Sequence, residues 1–177
     1  MKRALLAVVL AAGAVSAVSA AEPLQTVGHV DLARYAGQWH EVARYPNRFQ
    51  QQCVGDTTAT YALRDDGNVS VVNRCRTRDG YDAVSGVARR VDGRTDRLQV
   101  SFLPAALRWL PIGWGDYWVI ELAPDYRYAV VGEPSRQYLW VLSRTRTLSP
   151  EDRRAIEARL PAHGYDAARL VDSPPEH

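Results

Sequence analysis

Apolar and polar residues alternate in short runs between residues 37 and 144, the period-2 pattern of half-buried strands. Such runs are expected at about 37–45, 56–63, 69–76, 82–90, 97–103, 116–122, 127–132 and 138–144. Asp65-Asp66-Gly67-Asn68, Asp92-Gly93-Arg94 and Pro124-Asp125 separate three pairs of them with hairpin turn residues. Eight strands in sequence without a crossover predict an all-β fold, an antiparallel up-and-down barrel whose interior can hold one small ligand. Alternate loops of such a barrel share an end. The short polar loops would therefore close one end, and the longer ones, 46–52 and 104–115, would frame an open mouth.

Beyond the last run, Ser149-Pro150-Glu151-Asp152 reads as a helix start, with Ser149 as N-cap, Pro150 in the first position and acids in the first turn. Ala155, Ile156 and Leu160 give this one C-terminal α-helix an apolar stripe. Pro161 either stops it at Leu160 or kinks it, and Gly164 follows. Residues 165–171 are expected as a last strand outside the barrel, and Pro174-Pro175-Glu176-His177 as a frayed tail.

Met1-Lys2-Arg3 followed by an alanine-rich apolar run and Val18-Ser19-Ala20 has the form of a secretory signal peptide over 1–20, leaving 21–177 as a single domain. No cysteine precedes Cys53, so a lipoprotein acyl anchor at the mature N-terminus is not expected. The expected location is the periplasm or the exterior, with room for peripheral contact with the outer membrane. The whole chain has 22 Lys+Arg against 20 Asp+Glu. Lys2 and Arg3 fall in the leader, so a mature chain would be balanced, and nucleic-acid binding has little electrostatic support. Cys53 and Cys75 fit an oxidising compartment and one disulfide. Simple counting leaves them a few residues out of register on their hairpin, which a bulge near Gly55 would correct. Two cysteines without a close histidine make a poor metal site, and no cofactor is expected.

Gly37-Gln38-Trp39-His40-Glu41-Val42-Ala43-Arg44, Ala59 to Gly67, Gly115-Asp116-Tyr117-Trp118-Val119-Ile120 and Tyr138 to Thr145 occur in an order and spacing that resemble the lipocalins, most closely the bacterial members of the apolipoprotein-D-like branch. The resemblance covers about residues 30–172. It implies that Trp39 plugs the closed base of the barrel and that Arg144 lies across its indole face, with Gly37 completing the signature. Relatives of this kind often carry a lipid anchor, and this sequence departs from them in having no cysteine before Cys53.

With Trp39 inward, alternation places Glu41, Ala43 and Tyr45 inward as well. Arg144 beside Trp39 does the same for Leu142, Trp140 and Tyr138. The second and third runs then contribute Ala59, Tyr61 and Leu63, and Val69, Val71 and Asn73. By resemblance Tyr117, Val119, Ala129 and Val131 join them. The expected ligand-binding set is Tyr61, Val71, Asn73, Tyr117, Val119, Val131, Tyr138 and Trp140, an apolar wall with a few polar points. An interior filled by side chains is the alternative. Glu41 is expected to pair with an inward donor, because an unpaired buried carboxylate is costly. His40 should face outward, and no histidine sits beside a suggestive nucleophile, so no catalytic residue is assigned.

The 104–114 loop is unusually apolar and carries Leu107, Arg108, Trp109 and Trp114. It is either a lid or dimer contact, or an exposed patch for a membrane surface or partner. The chain is therefore expected to be a non-enzymatic carrier of a fatty acid, lysophospholipid or similar elongated apolar molecule, as a monomer or homodimer. A lipid-modifying or isomerase enzyme on the same barrel, and an interaction module acting through this loop, are the alternatives.

Overall fold

A computed structural model describes residues 22–173; the leader expected over 1–20 and the tail at 174–177 lie outside the described residues. Eight strands follow one another: β1 (Gly37–Arg44), β2 (Gly55–Leu63), β3 (Val69–Thr77), β4 (Gly80–Val91), β5 (Arg94–Ser101), β6 (Gly115–Leu122), β7 (Tyr128–Gly132) and β8 (Leu139–Ser143). Each pairs antiparallel with the next, and β1 pairs with both β2 and β8, so the sheet closes on itself. A short helix, α1 (Leu32–Tyr35), precedes the barrel, and α2 (Pro150–Arg159) and β9 (Val171–Asp172) follow it. Strand limits differ from the expected ones by a few residues. The largest shift is in β5, because Asp92 and Gly93, at φ +51° and +73°, make a two-residue turn that starts pairing at Val91 and Arg94.

The base is built around Trp39, which is fully buried. Its Nε1 donates to the carbonyl of Tyr35 at 2.8 Å, and the Arg144 guanidinium lies 3.9 Å from its ring centre. The same guanidinium donates to the carbonyls of Gln38, Arg34, Tyr35 and Ala36. Gly37 has φ +93°, and a Cβ there would lie 3.4 Å from Arg144 Nη1. That distance is ordinary van der Waals contact, so glycine is needed here for the left-handed backbone.

Bulges redirect the alternation. In β1 the register to β8 shifts between Glu41 and Ala43. Trp39 and Glu41 point into the barrel, but Ala43 and Tyr45, expected inside, lie on the outer face with Leu139, Val141, Ile156, Leu160 and Tyr165. One inserted residue exchanges the two faces of everything beyond it. Leu63, also expected inside, is 48% exposed at the end of β2. In β2 the register shifts by one residue between Gly55 and Thr58, and Cys53, in the loop just before the strand, is disulfide-bonded to Cys75 with Cα atoms 5.6 Å apart.

α2 covers the outer cluster. Ser149 Oγ accepts from the Asp152 amide at 3.1 Å, and Pro150 occupies the first turn, where no amide proton is needed. Ile156 and Leu160 are fully buried against the outward faces of Leu139 and Val141. The α-helix stops at Arg159 with Leu160 as its C-cap, the first of the two outcomes expected of Pro161. Pro161 falls in the first turn of a 3-10 extension, Leu160–His163, which ends at Gly164 with φ +77°. The strand expected over 165–171 is mostly replaced. Tyr165 turns into the outer cluster, the Asp166 carboxylate caps a 3-10 turn at Ala167–Arg169, and only Val171–Asp172 pairs with β1.

Candidate functional site

The barrel is hollow toward one end. A cavity of about 620 Å³ opens between the loop after β1 and the loop after β5, a size typical of small-molecule sites. Tyr61 and Val71 face it from paired positions on β2 and β3, with Asn73 two residues further along. Tyr117, Trp140 and Leu142 line it from β6 and β8. Among the described residues, the opening is flanked by Phe49, Gln50, Phe102 and Trp114, together with the first part of β4. That part of β4 can form a lip because its pairing with β5 begins only at Val87 and Ser101.

Five of the eight residues expected to bind a ligand therefore line the cavity: Tyr61, Val71, Asn73, Tyr117 and Trp140. Val119 and Val131 pair with each other and are buried in the inner cluster that contains Trp39, without reaching the cavity surface. Tyr138 lies outside the lining, stacked on Trp140 at 6.0 Å and near Phe49 at 5.4 Å. Tyr138, expected to face inward, precedes β8, which starts at Leu139, so no strand pairing fixes it on the cavity side.

Two polar groups organise the walls. Glu41 lines the cavity and accepts from Gln50 Nε2 at 2.6 Å, from Ser173 Oγ, and from Arg44 Nη1 at 3.3 Å. Burial pushes its carboxyl above the usual range, and the Ser173, Gln50 and Arg44 contacts offset part of that rise. Gln50 Oε1 in turn accepts from Trp140 Nε1 at 3.0 Å, so Glu41 fixes an aromatic wall through one amide. The expected inward donor to Glu41 is thus Gln50 with two companions. Alternation could not have pointed to Gln50, which lies in an irregular loop. The second group is a row of hydroxyls, Tyr35, Tyr117 and Tyr61, spaced 2.7 and 3.0 Å apart. Tyr35 comes from α1. Its one sequence signal is Asp31, whose carboxylate caps that helix by accepting from the Ala33 and Arg34 amides.

The 104–114 loop divides its aromatics. Trp114 faces the cavity, with Arg89 over its ring at 3.9 Å and its Nε1 donating to the Arg108 carbonyl at 3.1 Å. Trp109 is 78% and Ile112 68% exposed, with Leu107 exposed beside them. Arg108 Nε donates to the Leu103 carbonyl at 2.8 Å, which braces the loop. His40 lies on the outer face, where burial and the nearby Arg146 charge hold its imidazole below the usual value, against the pull of Asp56.

A family model described as a lipocalin-like domain matches residues 30–175. The chain is 37% identical over 161 residues to temperature-induced lipocalin-1 of Arabidopsis thaliana, covering 86% of each chain. It is 35% identical over 178 residues to the outer membrane lipoprotein Blc of Escherichia coli strain K12, covering 94% of this chain and 93% of that one. Among solved structures, insecticyanin from the tobacco hornworm Manduca sexta is similar, with a TM-score of 0.68 and 19% identity, over 85% of this chain and 84% of the other.

Proposed function

This chain belongs to the lipocalin family, and on that premise we propose that it binds and carries an elongated lipidic molecule, a fatty acid or lysophospholipid, in the cell envelope. The observation that carries the reading is the cavity of about 620 Å³, whose inner walls are Ala59, Val71, Val100 and Leu142 between aromatic rings. Each buried methylene contributes about 0.8 kcal/mol, so a chain with roughly ten of them buried gains near 8 kcal/mol before the cost of association. Micromolar binding needs about 8.2 kcal/mol net of that cost, so chain burial supplies the bulk of the gross gain and contacts to the aromatic walls and the mouth supply the rest. Affinity should climb with chain length until the cavity is full. Native mass spectrometry of the purified mature protein, with lipid extraction, tests this. A co-purifying acyl lipid recovered unchanged supports a carrier. An empty cavity, or affinity that is flat from eight to eighteen carbons, counts against it, and turnover of the bound lipid would favour an enzyme on the same barrel. Glu41 argues for a carrier, because Gln50, Ser173 and Arg44 already hold its carboxylate.

Export through a signal peptide removed after Ala20, and peripheral contact with the outer membrane, belong to the same proposal. Support for contact comes from the mouth, where Phe49, Leu107, Trp109 and Ile112 are exposed. Arg48 and Arg108 stand among these apolar side chains without an ion-pair partner among the described residues. Aromatic and aliphatic groups beside arginines suit an anionic lipid surface. Co-sedimentation with anionic vesicles, lost in Trp109→Ala/Ile112→Ser, is the expected result. Self-association in place of vesicle binding would assign the patch to a homodimer.

A further inference from the structure

Three tyrosine hydroxyls meet at the inner end of the cavity. Tyr35 Oη lies 2.7 Å from Tyr117 Oη, and Tyr117 Oη donates to Tyr61 Oη at 3.0 Å. Tyr61 and Tyr117 line the cavity, whereas Tyr35 packs against Trp39 in the base. Three hydroxyls carry three protons but make only two bonds. Since Tyr117 gives its proton to Tyr61, it accepts from Tyr35, and the Tyr61 proton is left without an acceptor among the described residues. Burial pushes Tyr61 up to about 12, with the Tyr117 bond opposing and Glu41 adding to the rise, so the surplus proton stays in place at neutral pH. Buried donors are almost always satisfied, and one aimed into a cavity calls for an acceptor on the guest.

The surroundings decide which acceptor fits. The arginines lining the cavity are Arg48, on the mouth loop, and Arg74, which stacks on Tyr81 at 3.5 Å toward the mouth end of β3. An anion at the floor would have neither beside it and would share the cavity with the Glu41 carboxyl. A neutral oxygen incurs neither penalty. We propose that the Tyr61–Tyr117 pair is a recognition site for a neutral oxygen, hydroxyl or carbonyl, at the buried end of an elongated apolar ligand whose charged end stays at the mouth. The inference rests on the apolar-chain reading and adds a second polar group to the ligand, far from its headgroup.

Fatty acids of ten to sixteen carbons, each as a pair ending in a methyl or a terminal hydroxyl, test it by isothermal titration into the delipidated protein. At the length that reaches the floor, the hydroxyl-to-methyl affinity ratio should be roughly tenfold higher in wild type than in Tyr61→Phe/Tyr117→Phe. Tyr35→Phe should keep the wild-type ratio, because two lining hydroxyls joined by one bond still leave one proton over. A readout that needs no variant is the carbonyl stretch of a bound terminal-keto acid, which should fall below its position in hexane. Equal ratios at every length, or a keto stretch unchanged from hexane, overturn the proposal and leave the apolar-chain reading standing. If no acid of either series binds the folded barrel, both fall.

Discussion

Arg144 does more than stack on Trp39. Its fork reaches four backbone carbonyls of the segment that folds under the barrel, at 2.7–3.1 Å, and a lysine cannot reproduce that geometry. Trp39→Ala should cost about 3–5 kcal/mol, as for other buried tryptophans. Arg144→Ala should cost about 2–4 kcal/mol, since charged hydrogen bonds are strong but water reaches part of this edge. Urea unfolding checks both, and ligand affinity of the folded fraction should be unchanged in each. A variant with wild-type stability and no binding would make the pair part of the ligand site. Asp96, which alternation did not single out, holds the other side of the leading segment. It is fully buried and accepts from the Gly28 amide at 2.9 Å and from Arg94 at 2.6 and 2.9 Å. Burial pushes its carboxyl up, but the Arg94 and Thr26 hydrogen bonds prevail and hold it at about 2. A depressed folded-state value means that this stability is present in full above the unfolded value near 4 and is lost as pH falls through about 2. Asp96→Asn should therefore be less stable than wild type at neutral pH, with the gap closing in acid. A gap of constant size from pH 7 to pH 2 would show that the charge is not involved.

Strands and helix were legible because their signals are local: alternation, turn residues, and the Ser149-Pro150 start. What alternation could not carry was the side assignment past a bulge. Val42 shows nothing in sequence that marks it as the extra residue, yet it moves Ala43 and Tyr45 from the cavity side to the surface beneath α2. Tyr45 gains a structural task there, its hydroxyl donating to the Asp166 carbonyl at 2.8 Å and accepting from the Asp166 amide at 2.7 Å. The bulge in β2 was inferable for a different reason, since the two cysteines supplied a long-range constraint that counting alone violated. Their bond ties the start of β2 to the end of β3 at the mouth, across a sequence separation of 22. Closing a loop of that size contributes about 3 kcal/mol through the unfolded chain. Cys53→Ala/Cys75→Ala should lose roughly that amount in urea while far-ultraviolet circular dichroism keeps the barrel signature. Ligand affinity should fall more modestly, since Cys53 and Cys75 line the cavity near Gln50 and Gln52. Two titratable thiols in the denatured, unreduced wild type would remove the bridge from the account.

At the scale of the molecule, the barrel is half plug and half vessel. Trp39, Tyr35, Val119 and Val131 pack the base solid, and the cavity begins where Tyr61 faces Val71 across two paired strands. Period-2 reasoning gives the side on which a residue lies but not its depth, so Val119 and Val131 were expected in the ligand site and instead form its support. The division predicts how binding and stability are coupled. A ligand that enters the vessel stabilises the folded chain by mass action, about 2.7 kcal/mol at a free concentration a hundred times Kd. For a domain of this size that corresponds to a rise in Tm of roughly 5–10 °C. Val71 is 2% exposed and points into the hollow, so Val71→Trp has open space for its indole. Overpacking elsewhere costs about 1–3 kcal/mol, and here the cost should sit at the low end. The variant should therefore melt within a few degrees of the apo wild type and show no further rise with a saturating acyl ligand, while Trp39→Phe, altered in the plug, should melt earlier but keep its ligand-dependent rise. A Val71→Trp protein that gains as much Tm as wild type from the same ligand would place the binding site outside the barrel.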